Sequence, residues 1–454
     1  MSAITEEGLD ETILPIQKTD LIYQIEDRPP FKEALFIAFQ HLLAIFVAIV
    51  TPPLIIAASL GLDKETTSFL VSMALLASGI STFIQCRRVG PLGCGLLCVQ
   101  GTSFSFIGAL TASFHGMGIA ALPVIFGVCI AGAPVEMIVS RILKYTQKII
   151  TPLVSGIVVT MIGLSLIKVG ITACGGGFGA IQDGTFGSYQ NLGLAGMVLI
   201  SILIFNSFKN KYIRMCSIVL GLLIGYVVSY FMGLIDFSQL GTLGMVNIPK
   251  PFKYGLGFDL SAFIAVALIY FITSIEAMGD ITANSMIGGE PIKGEKFVKR
   301  VQGGVMADGF NSMLAGVFNS FPNSIFAQNN GLIQLTGVAS RYVGYYIAGF
   351  LILLSAFPFI GGIFSLMPEP VLGGATLLMF GTVAASGVRI IASQNIDRKA
   401  ILVLAVSFAC GLGVELAPDI LIQMPDWVKG IFSSGITTGG LVAIIANIVI
   451  RIKE

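Results

Sequence analysis

Charged side chains are scarce in this chain. Asp, Glu, Lys and Arg make up 11% of its 454 residues, against roughly 25% in a soluble globular domain. That excludes a soluble enzyme and a disordered, self-repelling chain. Histidine occurs twice and tryptophan once. No nucleophile–base–acid set can be assembled, so no enzymatic activity is expected. No G-x-x-x-x-G-K-S/T loop is present, which removes ATP as an energy source. A net charge of +1 supplies no basic field for nucleic acid. The seven cysteines fall mostly inside apolar runs and read as small buried hydrophobes. Cys94 and Cys98 are expected on one helix face, but no histidine or third cysteine completes a metal site there. Neither a metal nor another cofactor is expected. Residues 1–32 are polar and lack the apolar stretch of a cleavable leader, so they read as a tail.

Apolar residues dominate instead. They are 55% of the chain, mean hydropathy is +0.90, and there are 54 glycines. A bilayer-spanning helix needs roughly 20 mostly apolar residues. Such runs recur at about 34–59, 66–85, 91–113, 118–140, 150–170, 190–207, 215–234, 260–283, 301–319, 321–338, 343–366, 370–392, 400–416 and 431–450. Two of the fourteen, 91–113 and 321–338, are broken by Gly, Pro, Ser, Asn and Gln. With both termini inside, twenty-one of the 26 Lys and Arg residues fall on the cytoplasmic side. Lys64, Lys168, Lys250, Lys253 and Lys429 fall outside. This bias predicts an even number of spans and counts both broken runs among them.

A repeat links the halves. Pro152, Gly156, Met161 and Gly163 match Pro370, Gly374, Met379 and Gly381 in register. They lie in the fifth and twelfth runs, and the broken runs are the third and tenth. A repeat of seven spans must be inverted in the membrane. Inverted repeats with paired interrupted helices mark secondary transporters whose site lies near the midplane. The chain is therefore expected to be an all-α polytopic membrane protein of 14 spans in 7+7 inverted repeats. Spans 3 and 10 are expected to be part strand and part half-helix. In the first, Phe104 and Phe106 alternate with Ser103 and Ser105 as on a strand. In the second, Gln328, Asn329 and Asn330 lead into a half-helix.

Ionisable groups deep in a span are functional candidates. His41 follows Gln40 in span 1, Glu276 and Asp280 lie in span 8, and Asp308 lies in span 9. Glu136 and Lys168 stand near span ends, where snorkelling or interfacial solvation accounts for them. Glu276 and Asp280 are four apart and share a face. Two carboxylates that close cannot readily both ionise in a low dielectric, so they form a natural proton-binding site. With the aromatic and amide groups of the broken spans they suit a flat heterocycle carrying alternating N–H and C=O groups.

At these residues the chain resembles the nucleobase–ascorbate transporter (nucleobase/cation symporter-2) family. The family run Gln/Glu/Pro–Asn–x–Gly–x–x–x–x–Thr–Arg/Lys/Gly matches Gln328 to Gly337 at every fixed position. The family's Gln–His pair matches Gln40–His41. Its span 8 acid matches Glu276, and its Ala–Asp–Gly matches Ala307–Asp308–Gly309. Gln328 and Gly337 are of the purine type, and LIYQIEDRPP, ITPLVSG and PEPVLGGATLLMFGT resemble the bacterial xanthine permeases. The resemblance implies a purine–proton symporter of the bacterial inner membrane, a homodimer, and elevator-like movement of a core domain against a gate. The core would be 33–140 and 258–367, and the gate 141–257 and 368–454. It implies that Glu276 and Gln328 hydrogen-bond the purine and that Phe104 packs on its ring. Asn329, Asp308 and His41 would organise the site, and Asp280 stands where uracil carriers have a proton-coupling His. Ser103 stands where some xanthine carriers have Asn. A urate or broader purine permease, or an anion carrier on the same fold, is the alternative.

Overall fold

The computed structural model describes residues 21–450, except 115, 147–150, 211–212, 215, 236–247, 293, 393, 425–427, 429–431 and 433. Most of the polar tail, His115 and the charges Lys18, Lys148, Lys211, Lys293, Lys429, Arg451 and Lys453 lie outside the described residues.

The chain order is α1 (Phe31–Leu60), α2 (Lys64–Arg87), β1 (Gln100–Thr102), α3 (Ile107–Phe114), α4 (Leu122–Gly132), α5 (Pro134–Thr146), α6 (Pro152–Cys174), α7 (Gly177–Gln182), α8 (Tyr189–Asn206) and α9 (Ser217–Phe231). The second half gives α10 (Leu260–Ile287), α11 (Gly294–Val317), β2 (Asn323–Ile325), α12 (Ala327–Thr336), α13 (Arg341–Ser355), α14 (Pro358–Ser365), α15 (Glu369–Ala392), α16 (Arg398–Leu416) and α17 (Gly435–Val449). Local signals set the helix starts. Asp63, Thr151, Asp259, Asp397 and Ser434 each accept a backbone N–H three residues on, which satisfies an otherwise orphaned donor.

Among the described residues eight helices are long and apolar enough to cross a bilayer, or nine if a bent pair counts as one. The chain is a multi-pass membrane protein. Run 343–366 is not the continuous span expected from its hydropathy. It breaks at Ala356–Phe357 and bends by 86° into α14, because Pro358 has no N–H to continue the ladder. Run 118–140 forms one span, α4 and α5 meeting at Ala133 without such a bend.

The most extensive helix pair is α6 with α15, the two helices that carry the repeat. They run antiparallel. Gly156 meets Gly387 and Ile391, Gly163 meets Ala384, Gly170 meets Leu377, and Gly373 meets Cys174. Small residues let the backbones approach closely where lipid offers no hydrophobic drive. A Cβ at Gly163 would stand 2.6 Å from the Ala384 Cα. Gly163→Val should therefore destabilise the protein by roughly 1–3 kcal/mol through overpacking. The check is thermal unfolding of purified protein in detergent, and an unchanged midpoint would refute the close packing.

Other neighbours fall into matching pairs. Helix α2 packs on α13 and α14, while α11 packs on α5 and α4; α8 packs on α9, while α16 packs on α17. At one end of the bundle the N-terminal segment runs beside 337–341. Tyr23 pairs with Val338, Arg341 N donates to the Ile25 carbonyl, and the Arg341 side chain reaches Glu26 at 2.8 Å. Partial burial would raise the acidity range of Glu290 in the loop before α11. Hydrogen bonds from Lys296 and Arg300 win, and hold it below the usual carboxylate range.

Candidate substrate site

The two interrupted runs meet in a two-stranded antiparallel crossing. Gln100 pairs with Ile325, Gly101 with Ser324 and Thr102 with Asn323. Ser103 N adds a bond to the Pro322 carbonyl at 2.8 Å, and Phe326 N one to Val99 at 3.0 Å. At membrane depth every backbone group needs such a partner. Because the strands are antiparallel, α3 and α12 leave opposite ends of the crossing, each with its N-terminus, and its partial positive charge, toward the middle.

The strand lies earlier than the alternation of Ser103 to Phe106 indicates. The paired residues are Gln100 to Thr102, and Phe104 to Phe106 form a 3₁₀ turn into α3. The reason is steric. A Cβ at position 101 would lie 2.5 Å from the Phe326 ring and 2.8 Å from Ile49, so a side chain opposite Ser324 would have to displace one of them. Cys94 and Cys98 are not on a helix face either. They lie buried in the irregular stretch before β1, where Cys94 N donates to Gln85 Oε1 at 3.1 Å.

Around this crossing the expected residues gather by pairs. Glu276, nearly buried on α10, accepts from the Ser105 hydroxyl at 3.3 Å. One turn on, Asp280 is buried too, and its carbonyl accepts from Asn330 of α12 at 3.3 Å. Asp308 of α11 accepts from the Gln100 amide. Gln100 in turn accepts from Asn311, which ties the strand to α11. Phe104 is buried between Phe326, with ring centroids 6.4 Å apart, and Phe380 of α15, edge-on at 5.4 Å. Gln328 is half-buried on the first turn of α12. Ser103 and Gln40 are buried, and neither is joined to the other candidates by a hydrogen bond among the described residues.

The His41 contact fixes a tautomer. Asn329 Nδ2 donates to the Leu97 carbonyl at 2.6 Å, so Oδ1 is the atom facing His41 Nδ1 at 3.2 Å. His41 therefore donates from Nδ1. Asn329→Ala would leave that buried donor unmatched, at a cost of about 1–3 kcal/mol. His41→Ala and Asn329→Ala should then be strongly non-additive in thermal stability, whereas simple additivity would show that the pair does not act as a unit.

Two contributors carry little signal in the sequence. Ser105 was visible only as one more serine in an alternating stretch. Glu136 is not at a solvated span end: it is wholly buried, and its Oε1 accepts from Thr273 of α10 at 2.6 Å. Its burial comes from packing against Thr273 of α10 and Gly309 of α11, which its position in the apolar run does not report.

A cavity of about 460 Å³ lies between the helices, and none of Glu276, Gln328, Phe104, Asn329 or Ser103 lines it. One wall comes from α1, α3 and α10, including Leu54, Gly108 and Ile269. The other comes from α6, α15 and α17, including Lys168, Leu372 and Ile436.

The permease-family model Xan_ur_permease matches residues 32–420. Xanthine permease XanP of Escherichia coli (strain K12) is 48% identical over 446 residues, 97% of this chain and 96% of its own length. Xanthine permease XanQ of the same strain is 47% identical over 440 residues, 95% and 94% of the two chains. The solved structure of murine Slc26a9, an anion transporter in the inward-facing state, superposes with a TM-score of 0.57 at 13% identity. It covers 88% of this chain and 69% of that one. At that identity the likeness is one of fold.

Proposed function

The chain belongs to the nucleobase–ascorbate transporter family of permeases, and from that premise we propose that it is a purine–proton symporter with xanthine as its main substrate. The observation that carries the reading is Glu276 held by Ser105, next to Phe104, on the helix whose Asp280 carbonyl accepts from Asn330 of α12 at the strand crossing. Xanthine is flat and presents N–H and C=O groups side by side. A carboxylate accepts two N–H bonds, and the Gln328 amide can both donate and accept. The Phe104 ring supplies an apolar face for the heterocycle. Identity to two xanthine permeases over nearly the whole chain supports xanthine in particular.

Uptake needs a driving force. One charge moving through 100 mV is worth about 2.3 kcal/mol, enough for roughly fiftyfold accumulation. The proton would bind among Glu276, Asp280 and Asp308, with His41 and Gln40 organising the site, and would be released inside with the purine.

The elevator reading draws on the packing. Shifting every element by seven spans carries the neighbour pairs onto one another: α2 with α13 and α14 onto α11 with α5 and α4, and α8 with α9 onto α16 with α17. The α6–α15 pair maps onto itself, as a two-fold axis in the membrane plane requires. This supports 14 spans in two inverted repeats, with 33–140 and 258–367 as a core moving against a gate of 141–257 and 368–454. The cavity lined by both sets of helices fits a sliding boundary there. A homodimer in the bacterial cytoplasmic membrane, with both termini inside, completes the reading from the family resemblance and the Lys/Arg bias.

The test is uptake of labelled xanthine by cells that lack their own purine permeases and express this chain. Saturable uptake displaced by unlabelled xanthine and not by uracil is expected. Stronger displacement by urate would make urate the substrate. Sulfate or bicarbonate flux without purine flux would overturn the reading.

A further inference from the structure

Glu136 has no task in the cycle described so far, yet it is wholly buried. Its Thr273 partner precedes Glu276 by three residues and shares its helix face. On its other side Glu136 abuts α11, since a Cβ built at Gly309 would stand 2.9 Å from the Glu136 Cβ. That sets it against the residue next to Asp308. Tyr270 packs nearby but donates its hydroxyl to the Cys129 carbonyl at 2.9 Å. Among the described residues no lysine or arginine forms an ion pair with Glu136. Its Oε2, like Oδ2 of Asp308, is buried without a hydrogen-bond partner among the described residues. Glu136, Glu276 and Asp280 all interact electrostatically with Asp308, so the four acids form one set.

Symport makes conflicting demands on Glu276. To accept purine N–H groups with both oxygens it must be a carboxylate, and the coupling proton must then sit elsewhere. We propose that Glu136 is a further coupling residue, which together with Asp308 holds that proton while Glu276 binds the purine. An unpaired carboxylate in an apolar interior is far costlier than its neutral acid, and coupled acids exchange protons as a group. The step is acid–base exchange alone: an O–H bond forms on Glu136 as one breaks on a neighbouring carboxyl. The proton later leaves to water on the inner side. The proposal rests on the purine–proton symport reading.

Glu136→Gln separates this role from a structural one. The amide is isosteric and its oxygen still accepts from Thr273, but it cannot carry the proton. In proteoliposomes, net accumulation of labelled xanthine under an inward pH gradient is compared with exchange at equal xanthine on both sides. Accumulation by Glu136→Gln should fall at least about fivefold relative to exchange, out of the roughly fiftyfold one proton can sustain at 100 mV. Its remaining uptake should lose its dependence on external pH. Thr273→Val keeps the acid and should shift the pH profile. A purely structural Glu136 predicts the reverse, with Glu136→Gln silent and Thr273→Val damaging, and that result overturns the proposal. If Glu136→Gln does not reach the membrane, Glu136→Asp and Thr273→Val decide. A pH profile unmoved in both overturns it, and a moved one supports it. Wild-type accumulation that ignores protonophore removes the symport reading itself, and this proposal with it.

Discussion

Glu276→Gln will abolish concentrative xanthine uptake, lowering the initial rate at non-saturating substrate by at least about 100-fold. Glu276 is nearly buried, and its Oε2 already accepts from Ser105. An amide in its place offers one acceptor oxygen and turns two donors toward a purine edge that also donates. A buried donor left unmatched costs about 1–3 kcal/mol, and loss of a charge-assisted bond adds a similar amount. The two together account for the expected factor. On the proposed symport, the variant also lacks the carboxylate that binds the purine while the neighbouring acids hold the proton. Radiolabelled uptake, normalised to the amount of protein in the membrane, checks this. Full accumulation by Glu276→Gln would show that the carboxylate neither binds the purine nor couples the proton.

The second large effect is steric. Gly101→Val should reduce transport at least tenfold while leaving much of the protein folded, because overpacking of this kind costs roughly 1–3 kcal/mol. The new Cβ would press on the Phe326 ring and on Ile49. Both are buried, and Phe326 is backed by Phe104. Neither can yield without moving the Phe104 ring or the first turn of α12, which begins one residue after Phe326. Size-exclusion chromatography of tagged protein separates lost folding from lost transport. A fully active Gly101→Val would mean that the strand crossing tolerates displacement and does not position the site.

Those two positions show unequally in the sequence. Glu276 stood out because an acid inside an apolar run is rare. The broken runs stood out because polar and glycine residues interrupt hydropathy. Gly101 did not, since the close approach that demands it comes from Phe326, more than two hundred residues away. The same distance effect misplaced the strand. Period-two alternation at Ser103 to Phe106 is a local signal, while pairing is decided by the partner strand. Glu136 was hidden for another reason. Its burial depends on Thr273 of α10 and Gly309 of α11, and neither is visible along the run that contains it. The bend at Pro358 was legible in principle, but hydropathy averaged over residues 343–366 concealed it. The repeat foreshadows the α6–α15 packing only in part: Gly156 and Gly163 of α6 make the close approach, but on α15 it falls to Ala384 and Gly387, while the repeat position Gly374 faces α8.

The most direct measurement is accumulation of labelled xanthine by purified protein in proteoliposomes under an inside-negative potential and an inward pH gradient. Saturable accumulation of tens of fold is predicted, as expected of one coupled charge at about 100 mV. Protonophore should collapse it, and labelled sulfate should not enter. Equilibration without accumulation, or sulfate carried in place of purine, would contradict the account.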